Sequence, residues 1–188
     1  MPIYRRIGQF MKLIERFPAK RLITEDYSQI QALFGDNAEI MASIIKNAKL
    51  DTIPVKLLNM HGVGGMYGIN RLFIAKEPHR TDIQLFVILH EYGHAFRDIH
   101  NGPIYNYWLR KDTDGNDLSE EEALDHIAIE EDEASAWALQ QLAPYPHLKI
   151  PAPRRSNSKA FTRYLQYIMQ SGAQTAQDVE KAFLAMVT

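Results

Sequence analysis

The 188-residue chain contains no cysteine, which excludes disulfide scaffolds, thiolate zinc fingers and thiol chemistry. It has no marked excess of charge of either sign. Its 21 Lys and Arg against 23 Asp and Glu leave a net charge of −2, so neither a nucleic-acid nor a membrane partner is expected. No apolar run approaches the roughly 20 residues that cross a bilayer. The opening stretch MPIYRRIGQFMKLIERFPAK has no uninterrupted apolar core and no small-residue cleavage site, so no secretory signal is expected. A cytoplasmic protein is the reading these absences leave. The length suits one domain with a proper core.

What charge there is lies unevenly. Residues 1–21 hold six Lys and Arg, and residues 112–133 hold eleven of the 23 acidic residues. Ile3, Ile7, Phe10, Ile14 and Phe17 recur at helical spacing and predict an amphipathic helix stopped by Pro18, packed on the body of the domain. A second helical stretch breaks near Gly35. Asp36 or Asn37 then caps a helix with Ile40, Ile44, Ile45 and Ala48 on its buried side. IPVKLLNM and MYGINRLFIAK are apolar and partly β-branched, and predict two strands joined through the glycines of HGVGG. Thr81 to Gln84 has the form of a capping box, starting a helix at Asp82 that Gly102-Pro103 stops. Residues 103–117 read as an aromatic loop. A long acidic helix follows from Ser119 to Pro144, and two more helices near 159–170 and 175–187 are separated by Gly172.

The informative stretch is His90-Glu91-Tyr92-Gly93-His94, within TDIQLFVILHEYGHAFRDIH. Two histidines four apart on a helix project from one face and can bind one metal ion, while the glutamate between them lies beside the metal. This pattern predicts a catalytic zinc held by His90 and His94, with Glu91 as the general base that activates water. The bland alternative is a pair of satisfied histidines on a buried helix.

A catalytic zinc takes three protein ligands. His100 lies ten residues after His90, the metzincin spacing, but Arg97 stands where that pattern needs a glycine. Glu130 and Glu133 lie on the acidic helix. Ala134, Ser135 and Ala136 would let two helices approach closely, which favours Glu133. A cysteine third ligand, as in peptide deformylases, is closed to this chain. His126, Tyr105 and Tyr107 are candidate oxyanion donors, with a surface histidine the simpler reading of His126. Asp112-Thr113-Asp114-Gly115-Asn116-Asp117 begins like a calcium loop but lacks its glycine at position six and its final glutamate. It reads as an acidic turn.

HEYGH followed by EASAWALQQLAP resembles the ImmA/IrrE-type metallopeptidases, which pair HExxH with E-A-N-x-F-A-x-x-L-L-x-P. The matching positions are Glu133, Ala134, Ser135 in place of Asn, Trp137 in place of Phe, Ala138, Leu142 and Pro144. The gap between the two motifs is longer than is usual there, and no helix-turn-helix accompanies them. The resemblance covers about residues 53–146 and implies zinc on His90, His94 and Glu133 with Glu91 as base. The expected architecture is an α+β zincin-like domain, with N-terminal helices over 1–50, a metallopeptidase core over 53–146 and a C-terminal helical extension over 147–188. The expected activity is hydrolysis of a peptide or protein substrate. The alternative is a zincin-like scaffold that acts as a regulatory binding module.

Overall fold

The computed structural model describes residues 34–61, 63–75, 81–150 and 158–188. The expected helix over 3–17 with its stop at Pro18, and the helical stretch that precedes Phe34, lie outside these residues. Among them are six helices and one three-stranded sheet, a mixed α+β architecture. None of the helices described is long and apolar enough to cross a membrane.

Helix α1 (Asn37–Asn47) buries Ala38, Met41, Ile44 and Ile45, which recur every three or four residues and so share one face. Ile40 and Ala48, expected on that face, are only half-buried. Strands β1 (Val55–Leu58), β2 (Gly65–Gly68) and β3 (Arg71–Ala75) follow. Their order is β1-β3-β2, with β1 parallel and β2 antiparallel to β3. This differs from two strands joined through HGVGG. The second apolar stretch is itself a hairpin, turned at Ile69 and Asn70. Asn70 takes the left-handed φ of 55°, which asparagine tolerates better than most residues. The turn is tied to the end of the chain, because the Ile69 amide donates to Glu180 Oε2 at 2.6 Å. The central strand β3 carries Leu72, Phe73, Ile74 and Ala75, all buried.

Helix α2 (Thr81–Asn101) runs 21 residues behind the sheet and buries Leu85, Ile88, Leu89, Tyr92 and Ala95. It ends where expected, with Gly102 at φ 98°. Its start differs from the expected capping box. Gln84 does not reach back to close the box; it is 0 % exposed and neither of its amide atoms has a hydrogen-bond partner among the described residues. The Thr81 side chain lies outside the description. A buried amide without partners costs about 1–3 kcal/mol, and methionine has nearly the same shape. Gln84→Met is therefore expected to raise the unfolding free energy by about 1–3 kcal/mol, seen as a higher urea midpoint at unchanged slope. A lower midpoint would mean the amide has a partner.

The segment after Gly102 is more ordered than a loop. It forms a short helix α3 (Tyr105–Trp108) and a bridge between Lys111 and Asp117. Within that bridge Asp112 Oδ1 accepts the amides of Asp114 and Asn116 at 2.9 and 2.8 Å, an acidic turn satisfied by its own backbone. Helix α4 (Glu120–Leu142) starts in a complete Ser119–Glu122 capping box. Helices α5 (Ser158–Gln170) and α6 (Ala176–Val187) are separated by Gly172 at φ 73°, and α6 starts in a Thr175–Asp178 box. Helices α2 and α4 pack side by side, α5 lies on α4, and α6 touches both α3 and α5. One hydrophobic cluster runs from Phe34 through the sheet and α2 to Val179 and Ala182 of α6.

Candidate metal centre

Two glycines set the site's dimensions. A Cβ on Gly93 would lie 2.8 Å from the Ala134 carbonyl oxygen and 2.9 Å from its Cα. Helices α2 and α4 therefore cross in backbone contact at this point. On the other side of α2, a Cβ on Gly65 would lie 2.9 Å from Glu91 Cγ and 3.1 Å from Ile74 Cδ1, so β2 rides directly on the helix. A methyl at Gly93 meets backbone that cannot swing aside, unlike a side chain. Gly93→Ala is expected to cost about 1–3 kcal/mol of stability by overpacking and to loosen metal binding together with it. Thermal unfolding and metal titration of the same variant check this. A variant equal to wild type in both would show that α4 gives way freely.

The crossing brings three side chains together. His90 Nε2 and His94 Nε2 lie 3.2 Å apart, their rings edge-on with centroids 4.7 Å apart. Glu131 completes the group, with Oε2 3.2 Å from His90 Nε2 and Oε1 3.6 Å from His94 Nε2. His90 Nδ1 sits 3.1 Å from Ser135 Oγ, one turn along α4 from Glu131. That contact suits a tautomer whose Nε2 lone pair faces the centre. The Nδ1 of His94 is buried without a partner among the described residues.

This donor set fits a metal ion. One ligand atom from each of the three residues lies within 4.8 Å of the others. Two imidazole nitrogens bound at about 2.0–2.1 Å to one tetrahedral ion stand roughly 3.3 Å apart, close to the separation here. The electrostatics agree. Burial works to lower the pKa of His94, but the Glu131 carboxylate, helped by Glu91 and Glu130, outweighs it and raises it. Burial works to raise that of Glu131, and His94 and His90 overcome it and hold the carboxyl well below its ordinary range. The centre of the triad thus favours positive charge, which a divalent cation supplies.

Glu91 is held apart from these three. It is 8 % exposed, and burial raises its pKa against the opposing pull of His90 and His94. The Tyr67 amide of β2 hydrogen-bonds its carboxylate. The Tyr67 carbonyl accepts the Tyr105 hydroxyl, and the Tyr67 hydroxyl donates to Asp98 Oδ2 at 2.8 Å. Asp98 in turn accepts the Ile104 amide at 3.1 Å.

Of the residues expected at the metal, the structure brings together His90 and His94, with Glu91 beside them. It does not bring Glu133 there. Glu133 is 47 % exposed at its side chain and pairs with Arg97 Nη1. Glu130 binds the same guanidinium through two bonds of 2.7 and 2.8 Å. Arg97, at the position where the metzincin pattern has glycine, therefore engages both glutamates. Glu131 points the other way because it is rotated about 200° from Glu133 around the helix axis. The small residues at 134–136 do mark the close crossing, but the carboxylate one turn before Ser135 reaches the metal site. His100 packs on Phe96, with ring centroids 4.3 Å apart, near the far end of α2. His126 stacks flat on Tyr107 at 4.6 Å; neither lines the site cavity, whereas Tyr105 does.

Comparison of the chain with protein-family models, with curated proteins and with solved structures finds no match. What the chain does has to be argued from the site.

Proposed function

We propose that the chain is a zinc metallopeptidase of zincin-like fold, with His90, His94 and Glu131 as ligands and Glu91 as general base. The observation that carries this reading is that Glu131 meets the two histidines of HEYGH while Glu91 lies beside the triad on the same cavity wall. A zinc ion held there supplies Lewis acidity toward an amide carbonyl and makes water a nucleophile near neutral pH. Glu91 takes the proton from the attacking water and hands it to the departing amine nitrogen. Its burial suits that work, because a raised pKa makes the carboxylate a stronger base.

Resemblance to the ImmA/IrrE-type peptidases supports the two-histidine, one-glutamate set, although it would place the glutamate at Glu133. In zinc peptidases generally, a strand just before the metal helix can form the rim of the cleft, where an extended substrate adds as another strand. Here that position falls to the stretch Tyr67–Ala75, which contains the central strand β3, paired on both sides. At the edge strand β2, both backbone groups of Tyr67 are already engaged, by Glu91 and Tyr105. Substrate is therefore held in the cavity rather than by strand addition at Tyr67.

Purified protein is expected to carry one zinc per chain by elemental analysis and, zinc-loaded, to cleave members of a mixed peptide library. Protein that takes up no zinc would end the metallopeptidase reading. Protein that holds zinc and cleaves no peptide would favour the binding-scaffold alternative.

A further inference from the structure

The cavity in front of the triad has a second, apolar end. It measures about 240 Å³ and is built by the C-terminal helices as well as by α2 and α4. Trp108 of α3, Phe161 and Tyr164 of α5 and Phe183 of α6 line it. The rings hold one another edge to face across three elements. Trp108 and Phe183 lie 4.8 Å apart at 89°, Trp108 and Phe161 6.4 Å apart at 75°, and Tyr164 and Phe183 6.0 Å apart at 74°. Each ring is thus oriented by another on a different helix, a preformed arrangement that binds without reordering. All four are only half-buried, so each keeps surface for an occupant.

We propose that these four rings form a specificity pocket for one bulky, uncharged apolar side chain, aromatic or branched aliphatic, flanking the scissile amide of the substrate. The assignment to a scissile amide rests on the peptidase reading. The preference of the pocket itself does not. Its ionisable side chains at neutral pH are His90, Glu91, His94 and Glu131, all at the metal end. An acidic side chain would meet two carboxylates and no Lys or Arg. A lysine or arginine would have to leave water for rings whose faces are partly covered by neighbouring edges, since cation attraction needs an open face. An apolar side chain gains from burial alone, and discrimination of this kind is worth roughly 10- to 100-fold.

The test is a titration of the full chain with the N-acetyl amides of phenylalanine, leucine, aspartate and lysine, followed at the Trp108 indole N–H by two-dimensional NMR. The Trp137→Phe variant identifies which indole signal belongs to Trp108. The phenylalanine and leucine amides are expected to shift that signal at concentrations at least about tenfold lower than the aspartate and lysine amides. Phe161→Ala and Phe183→Ala are expected to abolish the difference. Phe161 serves if the Phe183 variant fails to fold. Equal response to all four amides, tighter binding of the lysine amide, or an unchanged preference in both variants would overturn the pocket. Library cleavage by the zinc-loaded protein separates the two readings. Cleavage with no bulky apolar residue beside the cut sites would reject the pocket and keep the peptidase. Selective binding of the phenylalanine amide with no cleavage at all would keep the pocket and reject the peptidase.

Discussion

Glu131→Gln is expected to lose stoichiometric zinc on dialysis against a weak chelator, while Glu133→Gln is expected to retain it. The two carboxylates are two residues apart, yet they face different partners. Glu131 lies 3.2 Å from His90 and 3.6 Å from His94, and Glu133 lies on Arg97. An amide in place of Glu131 keeps the shape and removes the negative charge that balances the cation. Removing a supporting group behind a ligand costs roughly 10- to 100-fold in metal affinity, and removing the ligand's own charge should cost more. Glu133→Gln leaves Arg97 still bound by Glu130 in two bonds, so the crossing of α2 and α4 is kept. Competition against a chromophoric chelator gives both affinities. Retained zinc in Glu131→Gln together with loss in Glu133→Gln would put the ligand where the EASAWALQQLAP resemblance places it, and would require α4 to turn about its axis.

The same pair of residues explains which parts of this protein could be read from its sequence. A histidine pair four apart has one geometric meaning on a helix, and the helix starts near Ser119 and Thr175 and the Gly102 stop are equally local. Those features appear in the structure where expected. The third member of the group is different, because α4 carries consecutive carboxylates at Glu130, Glu131, Asp132 and Glu133. At 100° per residue they sample every direction around the helix. Which one faces the histidines depends on the rotation of α4 about its axis. That rotation is fixed by the contact of Gly93 with Ala134 and by Arg97 taking Glu130 and Glu133 on its other side. The glycine of HEYGH opposite the small residues at 134–136 was a usable signal for the crossing, and counting one turn back from Ser135 would have reached Glu131. The hairpin within MYGINRLFIAK was hidden for another reason. Its turn uses Asn70 with no glycine at either central position, so the apolar run looks unbroken. The aromatic end of the cavity depends on α5 packing on α4 and on α6 packing on α3 and α5, a tertiary fact with no local signature.

Glu91→Gln is expected to reduce peptide hydrolysis roughly 10²- to 10⁴-fold while leaving zinc content unchanged. The substitution keeps the length of the side chain, and the Gln carbonyl oxygen can still accept the Tyr67 amide that Glu91 now accepts. What it removes is the capacity to take a proton from water and return it to the leaving amine. The accompanying stability change separates a base from a structural carboxylate. Burial raises the pKa of Glu91 in the folded chain, so over the interval between its unfolded and folded pKa values the native state binds more protons than the unfolded one. Stability therefore falls as pH rises through that interval, because the ionised form of Glu91 weakens the fold. Metal-free Glu91→Gln is accordingly expected to unfold at a higher temperature than metal-free wild type, the opposite of losing a stabilising ion pair. Lower stability in the variant would mark Glu91 as a structural group. Activity within tenfold of wild type, with zinc bound in both proteins, would remove it from the reaction altogether. A variant with more stability, the same zinc and little turnover is the combination that only a carboxylate held at a cost for proton transfer produces.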